Sequence, residues 1–256
     1  MRIARMLILM FALAGLAARA QGQESVVRMV VPFPAGATLD VIARLLADRM
    51  RITLDRPVVV ENKPGAGGLI AAELVKGAPA DGGTLFMATL AIISLNPHTY
   101  KALRYDPFVD FTPVAQVAQF QIALGVGAAV PAKTLAEYVA LVKNEPKFGF
   151  YGTPAAGSLP HFFMIMIGRA AGVQLTHVPY KGSAPMWRGL AGGEISLGIG
   201  TISDLDALVG AGKAKVLAVT GPQRSAQHPE IPTLRESGFD LAGTSWYALY
   251  APANPT

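Results

Sequence analysis

A chain of 256 residues that is 52% hydrophobic and 15% charged is long enough for two lobes and too apolar to stay disordered. It contains no cysteine, which excludes a disulfide framework, zinc-thiolate and iron–sulfur centres and a thiol nucleophile, so its chemistry rests on oxygen and nitrogen groups. The formal net charge is +5, and Arg2, Arg5 and Arg19 supply three of those charges within the first twenty residues.

Arg2 and Arg5 precede an uncharged run from Met6 to Ala18 that ends in Ala18-Arg19-Ala20, the pattern of a secretory signal with a small-residue cleavage site over residues 1–20. The run falls short of the roughly 20 apolar residues a membrane-spanning helix needs, so a membrane anchor is the weaker alternative. No cysteine follows it to carry a lipid. Cleavage after Ala20 lowers the formal charge to +2, so the basic balance is a targeting feature and no nucleic-acid partner is expected.

From Gln21 onward, β-branched runs alternate with segments of helical period, the signature of a parallel-strand α/β protein. Val26–Val31 reads as a strand buried on both faces, Pro32–Gly36 as a loop, and the stretch after Thr38 as a helix with Ile42, Leu45, Leu46 and Met50 on one side. The unit recurs as strand Val58–Val60, loop Pro64–Gly68, helix Leu69–Val75 and strand Thr84–Ala88. Further strands are expected at Val114–Val117, Gln121–Val126, Phe148–Tyr151, Leu175–Val178, Ile195–Ile199, Val216–Val219 and Trp246–Tyr250. Helices fit between them at Leu135–Lys143, His161–Ala171, Ala184–Leu190 and Leu205–Val209. No long linker separates two halves, which suits two lobes joined by short crossovers with a ligand between them.

Two strand–loop–helix segments carry the chemistry. In VVPFPAGATLD, residues 30–40, the loop with Gly36 delivers the chain into a helix whose unpaired N–H groups and dipole favour an anion; Thr38 reads as its N-cap and Asp40 lies in the first turn. GTPAAGSLPH, residues 152–161, repeats that logic with Ser158 ahead of a helix starting near Pro160. A ligand with carboxylates gripped from both lobes follows. The enzymatic alternative makes Ser158 and His161 a nucleophilic pair, but no G-x-S-x-G elbow occurs. A phosphate-binding loop and a dinucleotide fingerprint are also missing, and His98, His161, His177 and His228 stand far apart in the chain, so neither metal nor cofactor is expected. Lys181, in a Gly-bearing turn, reads as solvent-facing, with a Schiff-base or carboxylate-pairing lysine as the alternative, and Trp187, Trp246, Tyr247 and Tyr250 read as core or hinge packing.

Seven motifs then coincide in order: VVPFPAGATLD (30–40), RPVVVENKPGAGG (56–68), LNPHTYKALRYDP (95–107), GTPAAGSLPH (152–161), HVPYKGSAP (177–185), LAVTGPQRS (217–225) and TSWYALYAP (244–252). Together they resemble the Bug-type extracytoplasmic receptors of tripartite tricarboxylate transporters, over essentially the whole mature chain. The resemblance implies an α/β Venus flytrap of the periplasmic-binding-protein kind, with residues 21–120 and 222–256 in the first lobe and 121–221 in the second. It implies a non-enzymatic periplasmic protein, monomeric, that binds a small carboxylate and delivers it to membrane permease subunits; a receptor presenting ligand to a sensor kinase is the alternative on the same scaffold.

By position, the resemblance places Phe33, Pro34, Ala35, Gly36, Thr38 and Asp40 of the first loop at the ligand, with Thr89 and Asn96 from the second. Gly157, Ser158 and His161 join them, as do Tyr180, Lys181, Gly182 and Thr201. Three departures stand out. Ala37 follows Gly36 where the family commonly has two glycines; Leu90-Ala91-Ile92-Ile93 replaces small polar residues; and Gly200-Thr201 stands where an aspartate is frequent. Fewer polar partners favour a monocarboxylate or partly apolar carboxylate over citrate. The family also continues with C-terminal helices that complete the first lobe, so that part is expected to be missing here.

Overall fold

The computed structural model describes residues 26–253; the expected signal segment 1–20 lies outside them. Two five-stranded sheets share one topology. The first has strand order β2-β1-β3-β10-β4, built from β1 (Val27–Val31), β2 (Val58–Asn62), β3 (Thr84–Thr89), β4 (Phe111–Phe120) and β10 (Ser245–Pro252). The second has order β7-β6-β8-β5-β9, built from β5 (Ile122–Gly127), β6 (Phe150–Thr153), β7 (Thr176–Pro179), β8 (Leu197–Thr201) and β9 (Ala214–Val219).

Alternation along β1 decides what covers the first sheet. Val27, Met29 and Val31 pack with Leu39, Ala43 and Ala47 of α1 (Thr38–Leu54), whereas Val30 faces Ala71, Ala72 and Val75 of α2 (Leu69–Lys76). The second sheet lies between α3 (Leu135–Asn144) with α4 (Leu159–Ala171) on one face and α5 (Ser183–Ala191) with α6 (Ile202–Gly210) on the other. Phe163 and Ile167 of α4 meet Leu124 and Leu197, and Met186, Trp187 and Leu190 of α5 meet Ala123 and Ile195. Each such fully buried side chain contributes about 1.5–3 kcal/mol. Among the described residues no helix is long and apolar enough to cross a membrane.

The sheets are mixed, where the sequence pattern points to parallel strands. β10 runs antiparallel to β3 and β4, and β5 antiparallel to β8 and β9. The cause is the crossover. The parallel strands end at the cleft, but β5 follows β4 through Gln121 alone and β10 re-enters from the other lobe, so both start at the cleft and run away from it. β4 is also longer than the expected Val114–Val117, because it pairs with β10 along its whole length.

The return crossing falls later than the expected lobe boundary at 222. Residues 222–244 stay with the second sheet: Thr233 bridges to Val219, and Leu234, Phe239 and Leu241 pack into the cluster around Leu124 and Phe163. Elsewhere the expected elements shift by a few residues. Pro146–Gly149 forms a 3-10 turn that delays β6, and α4 and α6 begin earlier, at Leu159 and Ile202.

Candidate ligand-binding cleft

In the first sheet the chain leaves β1 through α1 toward β2 and then crosses by α2 to β3 on the other side, so connections diverge between β1 and β3. The second sheet repeats this with β6, α4, β7, α5 and β8. Ligands bind where connections diverge at the carboxyl ends of strands. The four loops at those ends are 32–37, 90–95, 154–158 and the β8–α6 junction at Thr201, and they face one another across the cleft.

The first loop is held by its own acid. Asp40 is 3% exposed; its carboxylate accepts from Gly36 N–H (3.1 Å), Arg44 Nε (3.0 Å) and Asn62 Nδ2 (2.9 Å). Burial alone would raise its pKa, but the hydrogen bonds from Arg44, Asn62 and Gly36 outweigh that and hold it below the usual carboxylate range. Gly36 has φ +93°, which favours glycine. Ala37 has φ −103°, which any residue adopts, so the loss of a second glycine leaves the loop unstrained.

Thr38 was expected to cap α1. Instead Ala37 occupies the N-cap position and Thr38 reaches the other lobe. Its N–H donates to Asp204 Oδ1 (3.0 Å) and its hydroxyl to the same oxygen (2.6 Å), with Ser203 Oγ 3.0 Å away. Thr201 Oγ1 donates to the other Asp204 oxygen at 2.6 Å. Asp204 is thus fixed at the start of α6 and clasps the start of α1, holding the lobes together.

The second loop has no acid. The first turn of α4 carries none, and Ser158 at its N-cap donates its hydroxyl to Ala155 O (2.7 Å). Gly157 N–H donates to His161 Nδ1 (3.1 Å). Ser158 and His161 therefore turn to separate partners and do not form a nucleophile–base pair. The histidines, distant in sequence, are not all distant in space: His161 and His177 stack with ring centroids 3.9 Å apart, because β6, α4 and β7 are consecutive. His177 Nε2 lies 2.7 Å from Thr153 Oγ1, whose hydrogen goes to Ala155 O, so His177 is the donor there. Burial, and then the neighbouring His161, push His177 down to about 4; burial also lowers His161. The pair stands neutral and braces the loop.

Between these loops lies a cavity of about 80 Å³. Of the residues expected at the ligand, Phe33, Thr89, Asn96, Ser158 and Thr201 line it. Tyr180 and Lys181 line an adjoining outer groove of about 300 Å³, where Tyr180 OH donates to Glu194. Ala35 and Gly36 are exposed at the rim, Gly182 packs against Pro34 across the lobes, and Asp40, Thr38, Gly157 and His161 act on the loops from behind. The sequence reading missed the floor: Phe120, Ile122, Ser245 and Tyr247 come from the crossover strands. Phe120 and Tyr247 touch ring to ring at 4.5 Å. Of the apolar run 90–93, Ala91 lines the cavity, while Ile92 and Ile93 join the first lobe's core. The run forms a π-turn, Ala91–Leu95, where a loop was expected.

Residues 42–256 match the model of the tripartite tricarboxylate transporter family receptors. The chain belongs to that family. It is 35% identical to a UPF0065 protein in the gbd 5' region of Cupriavidus necator, over 94% of this chain and 73% of that one. It is 32% identical to the protein BugT of Bordetella pertussis, over 88% and 70%. Among solved structures, a Rhodopseudomonas palustris protein with adipate superposes with TM-score 0.86 at 37% identity, covering 90% of this chain and 77% of that one. The malate-bound MatC of the same organism gives 0.83 at 30%, covering 90% and 79%. Within the family frame, the absence of an aspartate at Gly200 has a steric counterpart. A Cβ there would stand 3.1 Å from the Trp187 ring and 3.2 Å from Met186 Cε.

Proposed function

We propose that the protein is a periplasmic receptor that encloses a small carboxylate between its lobes and delivers it to the membrane subunits of a tripartite transporter, acting as a monomer and without catalysis. One observation carries the reading: the cavity is lined by the N-terminus of α4, which has no acid in its first turn, and by Thr89, whose hydroxyl is buried without a hydrogen-bond partner among the described residues. Unpaired N–H groups with a helix dipole behind them are donors for an anion, and a buried hydroxyl left alone costs about 1–3 kcal/mol until something pairs with it. The adipate and malate held by the two solved relatives are carboxylates, in line with that chemistry.

Export follows from residues 1–20 as a cleavable signal. Calorimetric titration of the purified protein against a panel of mono- and dicarboxylates tests the receptor reading, with saturable binding of at least one expected; silence across the panel refutes it. Intact mass of the periplasmic form tests the export, with Gln21 as the expected first residue.

A further inference from the structure

Four helices begin at the cleft, and the protein's own acids divide them into two kinds. α1 and α6 share Asp204, whose two oxygens take up Thr38 N–H, the Thr38 hydroxyl and the Thr201 hydroxyl. Asp40 takes Gly36 N–H as well, so two backbone donors at the start of α1, those of Gly36 and Thr38, are spent on protein carboxylates. α4 and α5 carry no acid in their first turns, and Ser158, Pro160 and Ser183 from their starts line the cavity. Among the described residues no Lys or Arg lines the cavity; Lys181 lines the adjoining groove and is exposed.

The negative charge of Asp204 is felt inside. Tyr247, on the cavity floor, has its phenol pushed up by burial first and by Asp204 second. A second carboxylate beside the first lobe would meet the same field and would have to displace Asp204 from Thr38, undoing the clasp. The volume is also small: about 80 Å³, roughly half of the ~150 Å³ apolar cavity that holds benzene.

We propose that the cavity selects short monocarboxylates: the carboxylate binds at the starts of α4 and α5 within reach of the unpartnered Thr89 hydroxyl, the tail packs on Leu39, Phe120, Ile122 and Tyr247, and Asp204 excludes diacids. This rests on the carboxylate-receptor reading and narrows it. One observation independent of the helix ends supports it, the lone buried hydroxyl of Thr89.

Butyrate and succinate are the probes, matched in carbon number and differing by one carboxylate. Calorimetry on the purified full chain is expected to give butyrate at least tenfold tighter binding than succinate. In Asp204→Asn, which keeps the shape and removes the charge, the preference should shrink to about threefold or less. Succinate equal to or tighter than butyrate in the unmodified protein overturns the selectivity, whether or not the variant folds. A preference unchanged in a folded Asp204→Asn overturns the part given to Asp204. If diacids alone bind across a wider panel, the selectivity falls and the carboxylate receptor stands; if no carboxylate binds, both fall.

Discussion

The loops after β1 and β6 occupy equivalent places in two sheets of the same topology, yet they use their helix N-termini in opposite ways. The first commits the N–H groups of Gly36 and Thr38 internally, to a buried aspartate four residues along and to an acid from the other lobe. The second is braced from behind by two neutral histidines and keeps the start of its helix free of acid. Equivalent geometry therefore does not mean equivalent function. One loop ties the two lobes together, and the other leaves the start of its helix without an acid.

The sharpest way to break that contrast is to give the second loop the acid of the first. Ser158→Asp loses the hydroxyl that donates to Ala155 O, so its fold is checked by circular dichroism; like charges about 5 Å apart at an effective dielectric of about 20 cost about 3 kcal/mol, so carboxylate affinity of the folded variant should fall at least a hundredfold by calorimetry. Unchanged affinity would remove α4 from the site.

The converse change, Asp40→Ala, strips the first loop of its internal partner. Gly36 N–H, Asn62 and Arg44 lose an acceptor, and about 2 kcal/mol of stability should go, read as a lower urea midpoint at constant slope. Because the folded pKa of Asp40 is depressed, its contribution is present above the unfolded carboxylate range and is lost as pH falls through the folded value. The stability gap between Asp40→Ala and the unmodified protein should therefore narrow in acid.

A smaller effect is expected at Gly36. A Cβ there meets nothing within 4 Å, so Gly36→Ala tests backbone strain alone and should cost about 1 kcal/mol. The smallest belongs to the histidine brace. His177 in the folded protein lies near 4, below its unfolded value of about 6.5, so the unfolded chain binds more protons between those limits and stability declines as pH falls from about 6.5 to 4. Solvent contact screens the effect, which should appear as a Tm lowered by a few degrees and flattened in His177→Gln. An acid slope equal in both proteins would mean that the pair does not titrate.

The alternation of Val27, Met29 and Val31, the loop at 32–36 and the apolar spacing of α1 made the strand–loop–helix units and the two-lobed α/β class legible in the sequence, because each signal is local. Ordered motifs identified the family for the same reason, and the loops they marked do converge on one cleft. What local pattern could not carry was the partner of Thr38: its hydrogen bond spans 166 residues and exists only because the lobes close. The same holds for the stacked histidines and for the reversed strands β5 and β10, whose direction is set by where the chain crosses between sheets.

The order of residues along this chain thus determined its elements and its loops, through propensity, periodicity and turn chemistry acting over a few residues. Tertiary structure alone decided which helix ends are already neutralised and which stay open, because electrostatic pairing depends on distance in space, and Asp204 comes within 2.6 Å of Thr38 only when the two sheets face each other.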